Sequence, residues 1–280
     1  MKQTILVRYS EIGTKGKNRK WYEQKLANNI QHFLSKKGIS AEIERRYGRI
    51  LVHVEKKISE LKKIFGSSSY SYAIQTPIDI VKMAQAAMQL VELHRNISFR
   101  VTCQRLDKTI PMNSQEVQKQ LGAEIVAKTK AEVDLENYDV NIEVELIHGN
   151  AYVFTERINC FGGLPVNSQG TVLAFTETKQ DILAAILMLK RGCTVIPLFE
   201  KQQPTELLQT YGAKISCQLN KNQTIRTIAQ ETKALALVNG QTLNELEEIE
   251  TELLVLRPLT GINEKEIDEL YQMFEMSSKQ

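Results

Sequence analysis

Apolar and polar positions recur along the chain with two different grammars. Near the start, ILVRYSEI interleaves Arg8, Ser10 and Glu11 with apolar residues, the alternation of a half-buried strand. From Trp21 to Leu34 the positions Trp21, Tyr22, Leu26, Ile30, Phe33 and Leu34 fall at helical spacing, and Lys36, Lys37 and Gly38 supply a helix end. AEIERRYGRILVHVE predicts two strands about Gly48, and ISELKKIFG a short helix stopped by Gly66. Strand, helix, strand, strand, helix is the order of a small α+β unit of ferredoxin-like type.

A polar stretch, SSSYSYAIQTPID, then opens a second segment. Residues 79–94 place Ile80, Met83, Ala84, Ala87, Met88 and Val91 on one helix face. ISFRVTCQRLD alternates strictly, with Arg100 on its polar side. SQEVQKQLGAEIVAKT predicts a helix capped by Asn113 or Ser114. VNIEVELI and NAYVFTERI are alternating strands meeting at His148, Gly149 and Asn150, a hairpin turn.

After the glycine- and proline-punctuated FGGLPVNSQG the grammar changes. TVLAF and TVIPLF are continuous apolar strands separated by the apolar helix DILAAILMLKRG, a βαβ unit that requires a parallel sheet covered by helices. LALVNG and LLVLRPL add strand candidates, and EKEIDELYQMFE an acidic helix. Domains are therefore expected at 1–66, 67–165 and 166–280.

Composition narrows the class. With 42% hydrophobic and 25% charged residues among 280, the chain can bury a core and is not disordered. No apolar run approaches the ~18–20 residues of a membrane span, and the N-terminus lacks a signal-peptide core, so a cytoplasmic protein without membrane contact is expected. Cys103, Cys160, Cys193 and Cys217 are too scattered for a disulfide framework, and His32, His53, His94 and His148 too scattered for a metal site. The cysteines are expected to be buried small hydrophobes.

Charge is uneven beneath a net +3. Residues 1–70 hold 16 Lys/Arg against 6 Asp/Glu, while the remainder is mildly acidic. A concentrated basic module is the electrostatic footprint of a polyanion binder. Lys15, Lys17, Arg19 and Lys20 lie in a loop before a helix, where cations and free backbone N–H groups can converge on phosphates. Arg100, Arg105 and Lys108 mark a strand and the turn after it, groups that suit phosphate and 2′-OH contacts on RNA.

Three motifs occur in order at domain-sized spacing: VRYSEIGTKGKNR at 7–19, FRVTCQRLDKTIP at 99–111 and GGLPVNSQGTVL at 162–173. So arranged, the chain resembles the tRNA 4-thiouridine synthetase (tRNA sulfurtransferase) family over essentially its whole length. The resemblance implies a ferredoxin-like domain, a THUMP domain and a C-terminal PP-loop (adenine-nucleotide alpha-hydrolase-like) α/β domain. It also implies binding of the tRNA acceptor end through the first two domains, and a homodimer.

The back half departs from the pattern that the resemblance implies. Active members carry Ser-Gly-Gly-x-Asp-Ser after the first strand of the parallel sheet, and this chain has Thr176, Glu177, Thr178, Lys179, Gln180 and Asp181 there. Without the glycines, close backbone approach to ATP's phosphates is obstructed, and Glu177 sets like charge against them. The later Gly-Glu-Ser-Leu-Gly-Gln segment corresponds to Gly240, Gln241, Thr242, Leu243, Asn244 and Glu245. Neither a rhodanese domain nor a Cys-x-x-Cys pair is present to relay sulfur. The expectation is a pseudoenzyme: a tRNA-binding THUMP protein without catalytic residues, metal or cofactor, delivering tRNA to a separate thiolation partner. Two other readings stay open: an active sulfurtransferase using ATP and Mg in a remodelled site with a sulfur donor in trans, and a structural subunit without RNA contact.

Overall fold

The computed structural model describes residues 3–46, 48–56, 58–201 and 206–279. They form two compact units, one comprising Met1–Arg8, Phe33–Lys57 and Ser69–Asn159, the other Tyr9–His32, Ile58–Ser68 and Cys160–Gln280.

Strand β1 (Gln3–Arg8), helix α1 (Arg19–Lys36) and strands β2 (Ala41–Arg46) and β3 (Arg49–Val54) follow the predicted order. The predicted second helix is only a 3-10 turn, Ser59–Lys63, too short to repay α-helix nucleation. Strand β4 (Ser69–Pro77), helix α2 (Ile80–Leu90), strand β5 (Ser98–Arg105) and helix α3 (Ser114–Thr129) come next. They are followed by β6 (Glu132–Val133), β7 (Val140–Ile147), β8 (Asn150–Phe154) and β9 (Ile158–Asn159).

The first unit is built on one sheet ordered β2-β3-β1-β4-β8-β7-β5-β6, with β9 added to β4. Strand β4 makes the join. Its first half, Ser69 to Ala73, pairs antiparallel with β1, and its second half, Ile74 to Pro77, pairs with β8. What the polar composition presents as a boundary is thus a strand shared by two sheet halves. The β7–β8 hairpin turns at His148 and Gly149, both with positive φ, as the primed turn of a right-twisted hairpin requires. Helices α2 and α3 seal one face: Met83, Ala84, Ala87, Val117, Leu121 and Ile125 pack with Phe99, Ile142 and Val144. Asn113 caps α3 in a reciprocal box with Glu116.

The second unit carries β10 (Thr171–Phe175), α4 (Lys179–Lys190), β11 (Thr194–Phe199), α5 (Glu206–Thr210) and β12 (Cys217–Gln218). It continues with α6 (Ile225–Thr232), β13 (Ala236–Val238), β14 (Leu254–Leu256) and α7 (Glu264–Lys279). Its sheet is parallel throughout, ordered β12-β11-β10-β13-β14. The continuous apolar strands are buried, as the sequence pattern requires. Phe65, Phe161, Tyr211 and Phe274 form an aromatic cluster beside them. The chain proceeds outward from β10 to β12, then returns to place β13 on the other side of β10. The carboxyl end of β10 is therefore a topological switch point, where open α/β sheets offer a ligand crevice.

Two expectations about burial need correction. Trp21, assigned by periodicity to the apolar face, is 49% exposed. Cys103 and Cys193 are buried, but Cys160 and Cys217 are only partly so.

Candidate RNA-binding surface and nucleotide loop

The basic loop of 11–20 is ordered by two 3-10 turns, Glu11–Thr14 and Gly16–Asn18, leading into α1. Gly16 has φ +51, a conformation that costs an L side chain energy and allows the chain to reverse there. Arg19 is held internally. Its Nε and Nη2 donate to the Tyr9 hydroxyl oxygen at 3.2 and 2.8 Å, Nε also donates to Glu23 Oε1 at 3.0 Å, and Tyr9 donates to Glu23. Burial and the Glu23 carboxylate push the Tyr9 phenol up to about 12, so it stays a donor at neutral pH. Lys15 lies with Nζ 5.3 Å from the Tyr22 ring centroid, and Lys17 and Lys20 are exposed. Arg19 thus fixes the start of α1, beside the exposed Lys17 and Lys20.

The second basic group lies in the other unit. Arg100 stacks its guanidinium 4.0 Å from the Tyr138 ring centroid and donates to Asn141 Oδ1 at 3.3 Å. Arg105 donates to the Ile110 carbonyl at 3.0 Å, tying down the turn that follows β5. In that turn Asp107 accepts from the Thr109 amide and hydroxyl, whose bonds hold its carboxyl below the usual range. Lys108 borders a shallow hollow of about 200 Å³ lined also by Leu106, Asp107, Ile147 and His148. Tyr138 escapes sequence reasoning because nothing local marks it as the partner of Arg100, 38 positions earlier in number but adjacent in the fold.

Inside the same unit lies an ionic cluster that no sequence pattern signals. Glu145 on β7 is fully buried; it accepts from Arg8 Nε at 2.8 Å, from Arg49 Nε at 2.6 Å and from Arg49 Nη2 at 3.1 Å. Arg8 Nη1 also donates to Ser71 Oγ at 3.0 Å, while its Nη2 is buried without a hydrogen-bond partner beside the Phe154 ring. Burial pushes the Glu145 carboxyl up, but Arg49 and Arg8 override it and hold it below the ordinary value. Alternation puts Arg8 and Glu145 on polar strand faces and cannot foresee that those faces meet.

At the switch point, Thr176, Glu177, Thr178, Lys179 and Asp181 each bond elsewhere in the protein. Thr176 is buried and donates its hydroxyl to the Leu198 carbonyl at 2.7 Å. Glu177 accepts from the Glu200 amide at 2.5 Å. Thr178 caps α4, its hydroxyl oxygen accepting from the Asp181 amide at 3.1 Å. Asp181, itself buried, accepts in return from the Thr178 amide at 3.1 Å and hydroxyl at 2.8 Å. Its other oxygen accepts from the Gly240 amide at 2.8 Å. A Cβ on Gly240 would strike the backbone of Gln180 and Asp181, so the loop after β13 is pressed against the first turn of α4. Lys179 pairs with Asp268 at 2.5 Å and lies over the Tyr271 ring. Downstream, Glu245 accepts from the Thr242 amide and hydroxyl, and Arg257 donates to Gln241 and to the Glu247 carbonyl.

The thiols are quiet. Burial raises Cys103 and Cys160 to about 11 and also raises Cys193 and Cys217, so thiolate is scarce at neutral pH. Among the described residues no group of three or more His, Cys, Asp or Glu could hold a metal ion, and no helix is long and apolar enough to cross a membrane.

Comparison with known proteins adds domain names to this geometry. Residues 4–71 match the ThiI ferredoxin-like domain and residues 76–156 the THUMP domain, together a little over half the chain. A probable tRNA sulfurtransferase of Thermococcus kodakarensis is 37% identical over 210 residues, covering 71% of this chain and 55% of the relative. The chain thus spans about half the length of that curated relative. One from Thermoanaerobacter sp. is 29% identical across 97% of this chain and 85% of its own. Among solved structures, PH1313 from Pyrococcus horikoshii Ot3 aligns over 98% of this chain and 99% of its own with TM-score 0.85 at 28% identity. A 4-thiouridine synthetase–RNA complex with bound ATP aligns over 100% of this chain and 87% of its own, with TM-score 0.79 at 25% identity.

Proposed function

Because the chain belongs to the family that joins a ThiI ferredoxin-like domain to a THUMP domain and is related to the tRNA sulfurtransferases, we propose that it binds tRNA at the acceptor region and carries out no nucleotide chemistry of its own. Its cations are the RNA contacts: Lys15, Lys17 and Lys20, with Arg19 holding their loop, and separately Arg100, Arg105 and Lys108. The structural likeness to a synthetase solved with RNA supports this half of the reading.

One observation carries the other half. Two amide donors at the switch point, those of Thr178 and Gly240, bond the chain's own Asp181 carboxylate. A polyphosphate would have to displace a buried anion, against the loss of its hydrogen bonds and against repulsion from Glu177. The residues present therefore do not fit ATP or its Mg. The parallel α/β unit serves instead as a scaffold and as the surface of a homodimer in the cytoplasm, and a separate catalytic partner completes thiolation.

Two titrations test the reading. Gel shift against tRNA at several salt concentrations is expected to give tight binding that weakens as salt rises. Thermal denaturation with millimolar ATP and Mg is expected to leave Tm unchanged, whereas a bound ligand at 100 times its Kd would add about 2.7 kcal/mol. RNA binding without salt dependence overturns the first half, and a concentration-dependent rise in Tm overturns the second in favour of an active sulfurtransferase.

A further inference from the structure

The chain has one tryptophan, and it is on the surface. Trp21 stands in the first turn of α1 and is 49% exposed, although the same helix buries Leu26 and Ile30 completely. Leaving an indole half in water forfeits apolar burial that the neighbouring positions obtain.

What surrounds the ring is specific. Lys25, one helical turn on, places its ammonium 5.4 Å from the indole centroid. Tyr22 meets the indole edge-on with centroids 4.9 Å apart, and Gln169 Nε2 donates to the Tyr22 hydroxyl oxygen at 2.8 Å. Lys15 lies over Tyr22, and Lys17 and Lys20 precede the indole in the same exposed stretch. Trp21 is thus a large flat apolar surface braced by a fixed tyrosine, with the Lys25 ammonium beside its ring and the exposed Lys17 and Lys20 just before it in the chain.

We infer that Trp21 is a stacking platform for an unpaired base of the bound RNA, with Lys17, Lys20 and Lys25 neutralising the phosphates on either side of that base. The inference rests on the RNA-binding reading and deepens it. Every base presents a π face, so an indole accepts one without regard to sequence, and the lysines supply the polyanion attraction that a lone aromatic lacks. Duplex bases are already stacked on one another, so the occupant is single-stranded: a loop, a bulge or a free end. An anionic membrane also attracts Trp and Lys, but it needs a whole apolar helix face, and the remaining apolar face of α1 is buried within the fold.

The single tryptophan makes the test direct. The full chain is titrated with a single-stranded oligoadenylate, with a blunt RNA duplex and with vesicles of anionic phospholipid, reading indole emission and, separately, affinity. Stacking predicts quenching by the single strand, little by the duplex and none by vesicles. Trp21→Leu is expected to weaken single-strand binding about tenfold and to leave duplex binding within twofold, while Trp21→Phe retains most of the affinity. Circular dichroism on each variant confirms the fold. Unchanged emission with unchanged affinity of Trp21→Leu overturns the platform while leaving RNA binding by the lysines intact. Equal quenching by duplex, or a blue shift on vesicles, also overturns it. If the wild-type chain binds neither RNA, the functional reading falls and the platform with it.

Discussion

Glu145 concentrates the energetic risk of the molecule in one carboxylate. It is completely buried and bonded by two arginines from different strands, Arg8 and Arg49. Removing one partner of a buried ion pair leaves the other charge stranded, which costs about 3–5 kcal/mol. Glu145→Ala strands two guanidiniums, so urea denaturation of this variant is expected to show a loss at the upper end of that range, and Glu145→Gln a smaller one. The pH dependence has a definite sign. Because the folded carboxyl titrates below its unfolded value of ~4.3, its contribution is complete above that value and is lost as pH falls through the lower, folded one. The acid limb of the wild-type stability curve should therefore be steeper than that of Glu145→Gln, and parallel acid limbs would show that Glu145 does not titrate as described. Such a site is illegible in sequence for a plain reason: its members are separated by some hundred residues, and each alone reads as a polar position on an alternating strand.

Helix α4 shows what a sequence reveals about an element and what it hides. Apolar runs on either side of DILAAILMLKRG are enough to place it between parallel strands, because only a covered parallel sheet accommodates two such strands. The missing glycines before it also signal a changed loop. Hidden was the second partner of Asp181: it reads as an N-terminal helix acid, yet one of its oxygens crosses to Gly240, 59 residues on. Lys179, at the first position of the helix, pairs with Asp268 on α7. These bonds make α4's first turn a structural knot. Thr178→Ala should cost about 1 kcal/mol as a lost cap. Asp181→Ala unpairs donors at Thr178 and Gly240 and should cost about 1–3 kcal/mol. Because the two side chains bond each other, the double variant should fall short of the sum by at least ~0.5 kcal/mol in urea melts, and strict additivity would show that the reciprocal box does not form in solution.

For the whole molecule, the decisive property is where its positive charge resides. A net +3 says little, whereas an excess of ten cations over the first 70 residues implies a strong local field. The structure assigns the candidate contacts to two units, Lys15, Lys17 and Lys20 in one and Arg100, Arg105 and Lys108 in the other. Counterion release lets each group be counted without knowing how the units are arranged on RNA. Each neutralised phosphate contributes about 0.7 to the slope of log affinity against log salt on a single strand, and about 0.9 on a duplex. Replacing Lys15, Lys17 and Lys20 with Gln should therefore reduce the slope by about 2–3. If both groups grip the same tRNA, replacing Arg100, Arg105 and Lys108 as well should reduce it further by a similar amount. Arg100 and Arg105 are held by Tyr138 and by the Ile110 carbonyl, so their replacement also disturbs the strand end, and a circular dichroism control separates that loss from lost charge. A slope that responds to the first set and not to the second would confine RNA contact to the lysine loop, leaving the β5 cations as braces of their own turn.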